Sequence, residues 1–325
     1  MDSVSYLCFH YGLKLVRKFV TYLFSFISLF VSAQEQQDTL GQLFGETYQE
    51  LRDLQKKVFY SRSEKERFEA NKAFLAQWEK IVEMPEALSY KFDGLTDVAI
   101  LTSPMGRLRI ITWNIPKDDG TQLYFGYILV TNRILVKKGL FKNKYEDEYS
   151  VYRLLDKSPI IKNPETHVGT ADKWFGMLYV QMVPCDGYIT LIGWDGNDKL
   201  TQRKFIDVLY FKDDGSPVFG KDVFDIPKKA VKRMMFEYSS DITMSVRYIE
   251  RTGQIVFSHL APRERGEVLE GQYQYYGPDA EFDGLEQKGD RWVFVANIDI
   301  RSDKADMPES KKPNPKKQTP VYRPR

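Results

Sequence analysis

Two histidines, His167 and His259, are the candidates for acid–base chemistry in the body of this sequence. Imidazole takes and gives a proton near neutral pH, provided that a carboxylate or nucleophile lies within hydrogen-bond reach. His259 follows Phe257 and Ser258 in a run that is typical of a strand. Adjacent strand residues face opposite sides, so Ser258 and His259 make a poor hydrolase pair. A partly buried structural histidine is the main interpretation of His259, and a ligand-binding residue is the alternative that we keep as a candidate.

A cluster of oxygen-bearing side chains is the main candidate metal site. Asp195, Asn197 and Asp198 surround Gly196, directly after Trp194. Several hard oxygen ligands around a glycine suit Ca²⁺, although no Glu follows at the spacing of an EF-hand loop. A plain hairpin turn, in which the same side chains bond nearby backbone groups, is the main interpretation of this pattern, and Ca²⁺ binding is the alternative. Ca²⁺ is the one cofactor that the sequence suggests.

The segment from Tyr273 to Asp283 combines aromatic and acidic residues. Tyr273 and Tyr275 could stack on sugars or line a protein contact. On a strand these two side chains would share a face, and the main interpretation buries one or both in the core. Asp279 and Asp283 form a weaker acidic pattern for a cation. The candidate ligand-binding residues are therefore Trp194, His259, Tyr273 and Tyr275.

The sequence lacks the common catalytic and nucleotide-binding motifs. It contains no G-x-S-x-G, H-E-x-x-H, P-loop or G-x-G-x-x-G pattern. A hydrolase that uses two carboxylates about 5–10 Å apart carries no such motif and stays open. Cys185 lies in a predicted turn, Pro184-Cys185-Asp186-Gly187, where an incidental cysteine is the main interpretation and a reactive nucleophile the alternative.

The N-terminal residues predict export. A basic region ending at Lys18 precedes an uncharged run, Phe19–Val31, and the small residues Ser32-Ala33. This order is typical of a cleaved secretory signal, which we place at residues 1–33. The run is short for a membrane anchor, so we expect no membrane span after cleavage. Removal of the leader also removes Cys8, so the mature chain has no pair for an internal disulfide.

Residues 34–86 predict a helical hairpin. Apolar side chains recur every three or four positions in two stretches, with a break near Tyr60–Arg62. Ser63 and Glu66 fit a capping box at the start of the second helix, and Pro85 ends it. We expect the two apolar stripes to pack on each other and on a sheet rather than on a partner protein.

Residues 87–300 change to a period of two and predict an antiparallel β domain. Nine short segments are rich in β-branched or aromatic residues. Asp-Gly, a pair that favours hairpin turns, occurs at Asp93, Asp119, Asp186, Asp195, Asp214 and Asp283. The fold class is thus mainly β with an N-terminal helical hairpin. We expect an antiparallel meander that forms a curled sheet or sandwich, with a propeller less favoured and a sub-boundary at 149–172.

The segment 301–325 predicts a disordered, basic tail. It contains eight Lys/Arg, three Asp/Glu and five Pro, with few apolar residues to bury. The formal net charge of the whole chain is only +2, so the body before this tail is acidic. An acidic body lacks the basic face that a nucleic-acid-binding protein shows, and we expect no nucleic acid partner.

Three stretches carry a resemblance to a known family: Tyr90–Val130, Trp174–Gly220 with GWDGNDKLTQRKFIDVLYF, and Asp279–Asp299 with FDGLEQKGDRWVFV. The chain resembles a family of exported proteins of Bacteroidetes for which no activity is known. The resemblance implies a location in the cell envelope and no particular reaction. The chain lacks the β-rich C-terminal sorting domain of many proteins that cross the outer membrane of those bacteria, so the periplasm is favoured over release.

These observations predict a non-enzymatic periplasmic interaction or scaffold protein whose partner is an envelope protein or a glycan. One alternative is a glycan-directed hydrolase that uses paired carboxylates. The other alternative is a glycan- or calcium-binding module built on Trp194–Asp198 and Tyr273–Tyr276.

Overall fold

Two helices open the part of the chain that the structure describes. The structure is a computed structural model, and it describes residues 44–137, 144–263, 269 and 271–299. The predicted signal peptide and basic tail lie outside these ranges. Helix α1 covers 44–60 and α2 covers Glu64–Val82, followed by a 3-10 turn at Pro85–Leu88. Pro85 therefore starts a new turn after the helix, as its fixed φ and missing N–H favour.

Fifteen strands follow among the described residues. They are β1 (Ala99–Thr102), β2 (Leu108–Pro116), β3 (Gln122–Lys137), β4 (Lys144–Leu155), β5 (Gly169–Thr170), β6 (Leu178–Cys185), β7 (Tyr188–Asp195), β8 (Thr201–Phe211), β9 (Pro217–Phe219), β10 (Phe224–Asp225), β11 (Met234–Ser239), β12 (Val246–Ile249), β13 (Gln254–Pro262), β14 (Tyr276–Lys288) and β15 (Arg291–Val295).

The strands form three sheets. The first is an antiparallel meander, β1-β2-β3-β4, and the second has the order β5-β9-β8-β7-β6 with β11 beside β8. The third has the order β10-β15-β14-β13-β12, in which the short β10 pairs with β15 in parallel. None of the sheets closes into a barrel. The predicted fold class, mainly β with antiparallel sheets behind an N-terminal helical hairpin, is confirmed.

The helices and the three sheets form four layers, and a hydrophobic core lies between each layer and the next. The helices pack on one face of the first sheet, where Trp78 of α2 stacks on Trp113 of β2 with ring centroids 6.2 Å apart. The second core joins the other face of the first sheet to the second sheet, and the third core joins the second sheet to the third. The neighbours Ile110 and Ile111 of β2 belong to different cores. Burial on both faces explains why this strand is apolar almost throughout.

Most of the Asp-Gly pairs lie at hairpin turns, as the sequence predicted. Four of the six, those at Asp119, Asp186, Asp195 and Asp214, lie between strands that pair with each other. The hairpin prediction is wrong for Asp283-Gly284, which lies inside β14. A Cβ at Gly284 would stand 2.6 Å from the Ile255 carbonyl oxygen, so glycine is needed there for close strand approach rather than for a turn.

The link between the first and second sheets begins at Asp156. Of the predicted sub-boundary, residues 149–155 belong to β4, 156–168 form the link, and β5 of the second sheet begins at Gly169. Asp156 Oδ2 accepts a hydrogen bond from the Tyr124 N–H at 3.0 Å, and its Oδ1 accepts one from the Ser158 N–H at 2.8 Å. These bonds hold the start of the link against β3.

Candidate functional site

A cleft of about 550 Å³ opens where the helical hairpin, the first sheet and the second sheet meet. We call it the junction cleft. Its wall is formed by α2, the β2–β3 turn, the link after Asp156 and the β7–β8 turn. The side chains that matter for its chemistry are Phe68, Lys117, Asp119, Asp195, Asn197 and Arg203.

Helix α2 fixes the β2–β3 turn that forms one side of the cleft. Arg67 donates to the Pro116 carbonyl at 2.9 Å and to the Asp118 carboxylate at 3.0 Å. Glu64 accepts a hydrogen bond from the Asp118 N–H at 2.6 Å. Ser63 is the N-cap of α2, but its side chain makes no capping hydrogen bond, so this half of the predicted capping box is wrong. Instead, Glu64 and Arg67, at the start of α2, form hydrogen bonds with the β2–β3 turn.

Two opposite charges lie together on that turn. Lys117 Nζ is 3.0 Å from Asp119 Oδ2, and Asp119 Oδ1 accepts from both the hydroxyl and the N–H of Thr121. The Thr121 hydroxyl, the Thr121 N–H and Lys117 together hold the pKa of Asp119 well below its usual range. Asp119 is therefore an ionised carboxylate at the mouth of the cleft.

The predicted calcium loop lies on the opposite side of the cleft. It is a turn whose side chains accept hydrogen bonds from its own backbone. Asp195 Oδ1 accepts from the Tyr124 hydroxyl at 2.8 Å and from the Asn197 N–H at 2.9 Å. Asn197 adopts a positive φ of 45°, which asparagine tolerates. Asp198 Oδ1 accepts from the Leu200 N–H at 2.7 Å. The contacts match the hairpin-turn interpretation of these residues, since their oxygens already have donors.

A guanidinium stands beside this turn. Arg203 Nη1 is 3.7 Å from Asp195 Oδ2, and Arg203 Nε donates to Glu237 at 2.7 Å. Asp195 is almost fully buried, and that burial raises the pKa of its carboxyl because the charged form is disfavoured away from water. The positive charge of the Arg203 guanidinium would repel a Ca²⁺ ion bound at Asp195, so the electrostatics argue against a calcium site here.

The other predicted binding residues lie away from the junction cleft. Trp194 faces away from Asp195 along β7, half-buried, and its indole N–H donates to Gln202 at 2.9 Å. Tyr273 and Tyr275 belong to a 3-10 turn instead of a strand, and they are 37% and 48% exposed. The core interpretation of these tyrosines is wrong, because a 3-10 turn places both rings at the surface.

His259 finds a carboxylate partner in the third sheet. Its Nδ1 lies 2.9 Å from Asp279 Oδ2, and that carboxylate raises the pKa of the imidazole. Glu281 also lies close by. The sequence pointed to His259 and Asp279 separately, and it gave no sign that they meet.

A second, more open groove of about 720 Å³ lies along the link between the sheets. It combines the exposed Ile160 with three lysines, Lys157, Lys162 and Lys173. His167 lines it too, and its Nε2 is 3.0 Å from the Lys173 carbonyl oxygen. The imidazole is thus tied to backbone and meets no carboxylate within the described residues.

The sequence missed the charged partners that complete the junction cleft. Asp119 was predicted only as a turn residue, and no motif in the sequence pointed to Lys117, Arg203 or Glu237. Arg203 and Glu237 meet only because β8 and β11 pair antiparallel, with these two residues directly opposite each other. The one available signal was the alternation of side chains along the strand Thr201–Phe211, because it fixes the face of the sheet on which Arg203 lies.

No protein-family model, curated protein or solved structure matches the chain. Within the described ranges, neither helix is both long and apolar enough to span a bilayer. Function therefore has to be inferred from the geometry of the junction cleft and of the other polar clusters.

Proposed function

We propose that the protein is a non-enzymatic binding module of the cell envelope and that its junction cleft holds a saccharide. The observation that carries this proposal is that the charged side chains on the cleft wall already have partners of opposite charge: Lys117 pairs with Asp119, and Arg203 pairs with Glu237 and, at 3.7 Å, with Asp195.

Paired charges offer strong hydrogen-bond donors and acceptors without a large net charge. A ligand that matches such a wall is itself uncharged and rich in groups that both donate and accept, as sugar hydroxyls are. Phe68, which is half-buried, adds an aromatic surface on which the apolar face of a sugar ring can pack. The volume of about 550 Å³ falls within the range of about 300–1,000 Å³ that is usual for small-molecule sites.

The proposed location is outside the cytoplasm, with the periplasm favoured. It is supported by the signal-peptide pattern of residues 1–33 and by the resemblance to exported proteins of Bacteroidetes. Envelope glycans and the glycans that enter the periplasm are the saccharides available to a protein in that compartment.

A saccharide panel tested by thermal shift, followed by calorimetric titration, examines this proposal. A ligand that binds only the folded protein at 100 times its Kd stabilises it by about 2.7 kcal/mol. Phe68→Leu keeps apolar volume but removes the ring, and Asn197→Gly keeps the positive φ but removes the amide. Both should weaken the binding.

Tyr273→Leu is the matched control, because it also removes an aromatic ring but lies in the exposed 3-10 turn. Unchanged binding in both cleft variants, with loss in Tyr273→Leu, would move the saccharide site to the tyrosines. The absence of any stabilising saccharide in a broad panel would reject the proposal.

A second candidate, glycoside hydrolysis, is favoured by one observation. Asp195 and Asp119 line the same cleft, and their pKa values are shifted in opposite directions. This reaction uses one carboxyl group with a raised pKa and one with a lowered pKa, and the shifts of Asp195 and Asp119 have these two directions. Release of nitrophenol from aryl glycosides, lost in both Asp195→Asn and Asp119→Asn, would establish it. Absence of turnover across the glycosides that bind would leave the non-enzymatic function.

A further inference from the structure

Three metal-ligating side chains converge on the third sheet, away from the junction cleft. They are His259, Asp279 and Glu281, and one ligand atom of each lies within 4.8 Å of the other two. His259 Nδ1 and Asp279 Oδ2 lie 2.9 Å apart. The side chains of His259 and Asp279 are 45% and 34% exposed, so an ion can reach them from solvent.

A local irregularity in strand pairing brings these residues together. Ser258 of β13 lies opposite Phe282 of β14, whereas Leu260 lies opposite Pro278. His259 alone therefore faces the three residues 279–281, which form a bulge on β14. Ala280, at the centre of the bulge, has a φ of +76°. In regular pairing a single residue would oppose His259, and one of the two carboxylates would be absent.

The surroundings of the cluster favour a cation. Asp279 Oδ1 accepts a hydrogen bond from the Glu281 N–H at 3.2 Å, which orients the carboxylate and leaves Oδ2 toward the imidazole. Asp283 lies nearby on the same strand and adds negative charge that acts on His259. In the part of the chain that the structure describes, neither Asp279 nor Glu281 forms an ion pair with a lysine or arginine. A divalent ion would therefore meet uncompensated carboxylates.

We propose that His259, Asp279 and Glu281 bind a divalent transition-metal ion, with Zn²⁺ as the ion of choice. One imidazole nitrogen and two carboxylate oxygens form a mixed ligand set that suits Zn²⁺, whereas Ca²⁺ and Mg²⁺ prefer oxygen alone. Zinc–ligand distances of about 2.1 Å place tetrahedral ligand atoms about 3.4 Å apart. The observed spacings, from 2.9 Å to at most 4.8 Å, bracket this value. Small side-chain rotations would bring the three ligand atoms to these distances, and a water molecule would be the fourth ligand.

Calorimetric titration of the metal-free protein with ZnCl₂ tests the proposal directly. We expect one ion per chain, and no comparable binding of MgCl₂ or CaCl₂. Loss of an outer-shell partner alone usually costs 10–100-fold in metal affinity, so His259→Asn and Glu281→Gln should each weaken Zn²⁺ binding by at least about tenfold. All three side chains lie at the surface, so these variants should fold as the parent does.

His167→Asn and Cys185→Ser are matched controls, because they remove the other imidazole and the thiol of the described residues. Both should bind Zn²⁺ with unchanged affinity. Binding that persists in His259→Asn and disappears in either control would overturn the assignment, as would the absence of stoichiometric binding in the parent protein. Saccharide binding in the junction cleft should be the same with and without Zn²⁺, so the two proposals fail or succeed separately.

Discussion

Arg233 and Asp207 form an ion pair in which neither side chain is exposed to solvent, with Nε and Oδ1 2.8 Å apart. The second carboxylate oxygen of Asp207 accepts from the Tyr179 hydroxyl at 3.0 Å, and Arg233 Nη1 donates to the Pro164 carbonyl at 3.0 Å. The pair therefore ties β8 to β6, to the residue before β11 and to the link between the first two sheets.

Removal of one partner should be costly. Asp207→Leu leaves the guanidinium of Arg233 buried without its charge partner, and loss of one member of such a pair usually costs about 3–5 kcal/mol. The double variant Asp207→Leu/Arg233→Met should recover much of that loss, because it leaves no buried charge. Urea unfolding at pH 7 measures both. Lys229→Ala, which breaks the exposed pair with Glu165, is the control and should cost less than about 1 kcal/mol.

A second buried contact joins the helical hairpin to the first sheet. The Trp113 indole N–H donates to Asn71 Oδ1 at 2.8 Å, and both residues are buried. Asn71→Leu keeps the volume but leaves the indole N–H without an acceptor, so we expect a loss of about 1–3 kcal/mol in the free energy of unfolding. Lys72→Ala changes an exposed neighbour on the same helix and should have little effect. Equal stability of the two variants would show that the hydrogen bond contributes nothing.

The buried carboxyl of Asp195 predicts a pH dependence. Because burial raises its pKa in the folded state, the folded chain holds this proton more tightly than the unfolded chain does. The contribution of Asp195 to stability therefore falls as the pH rises from the ordinary value of 3.8 through the raised folded pKa.

Asp195→Asn does not ionise, and its amide oxygen can still accept from Tyr124 and Asn197. Relative to the parent, this variant should gain stability as the pH rises from about 3.8 through the raised folded pKa of Asp195, by about 1.4 kcal/mol for each unit of pKa shift. Unfolding by urea at four or five pH values gives the difference. A difference that stays flat with pH would contradict the raised pKa.

Cys185 should be a slow nucleophile. Burial raises the pKa of its thiol, so little thiolate is present at neutral pH. In a Cys8→Ser background, iodoacetamide at pH 8 should label the folded protein at least about tenfold more slowly than it labels the urea-unfolded chain. Equal rates would revive the interpretation of Cys185 as a reactive thiol.

The sequence predicted the strands that are rich in β-branched and aromatic residues, and it missed strands that are very short, charged or interrupted by turn residues. All nine predicted strands are present, with shifts only at their ends. β4 was missed because its first half, Lys144–Glu148, is exposed and charged. β14 was missed because Gly277, Pro278 and Asp-Gly look like turns, although the residues serve a bulge and a close strand contact.

The candidate sites show the same limit. Asp195 and Asn197 were predictable because their turn is local, and local spacing fixes it. Arg203 meets Glu237, and His259 meets Asp279, through strand register, which a single sequence does not reveal. The exposure of Tyr273 depended on a 3-10 turn that strand alternation does not anticipate.

The position of β15 has a consequence for the order in which the chain becomes complete. This strand is inserted between β10 and β14, and its Trp292 is fully buried in the third core. Until Arg291–Val295 has left the ribosome, both neighbours have an open edge and the core has a hole the size of an indole. Open edges invite pairing with other chains. We therefore expect these edges to stay open to other chains until β15, the last described strand, is complete, and we expect a chain truncated before Arg291 to aggregate.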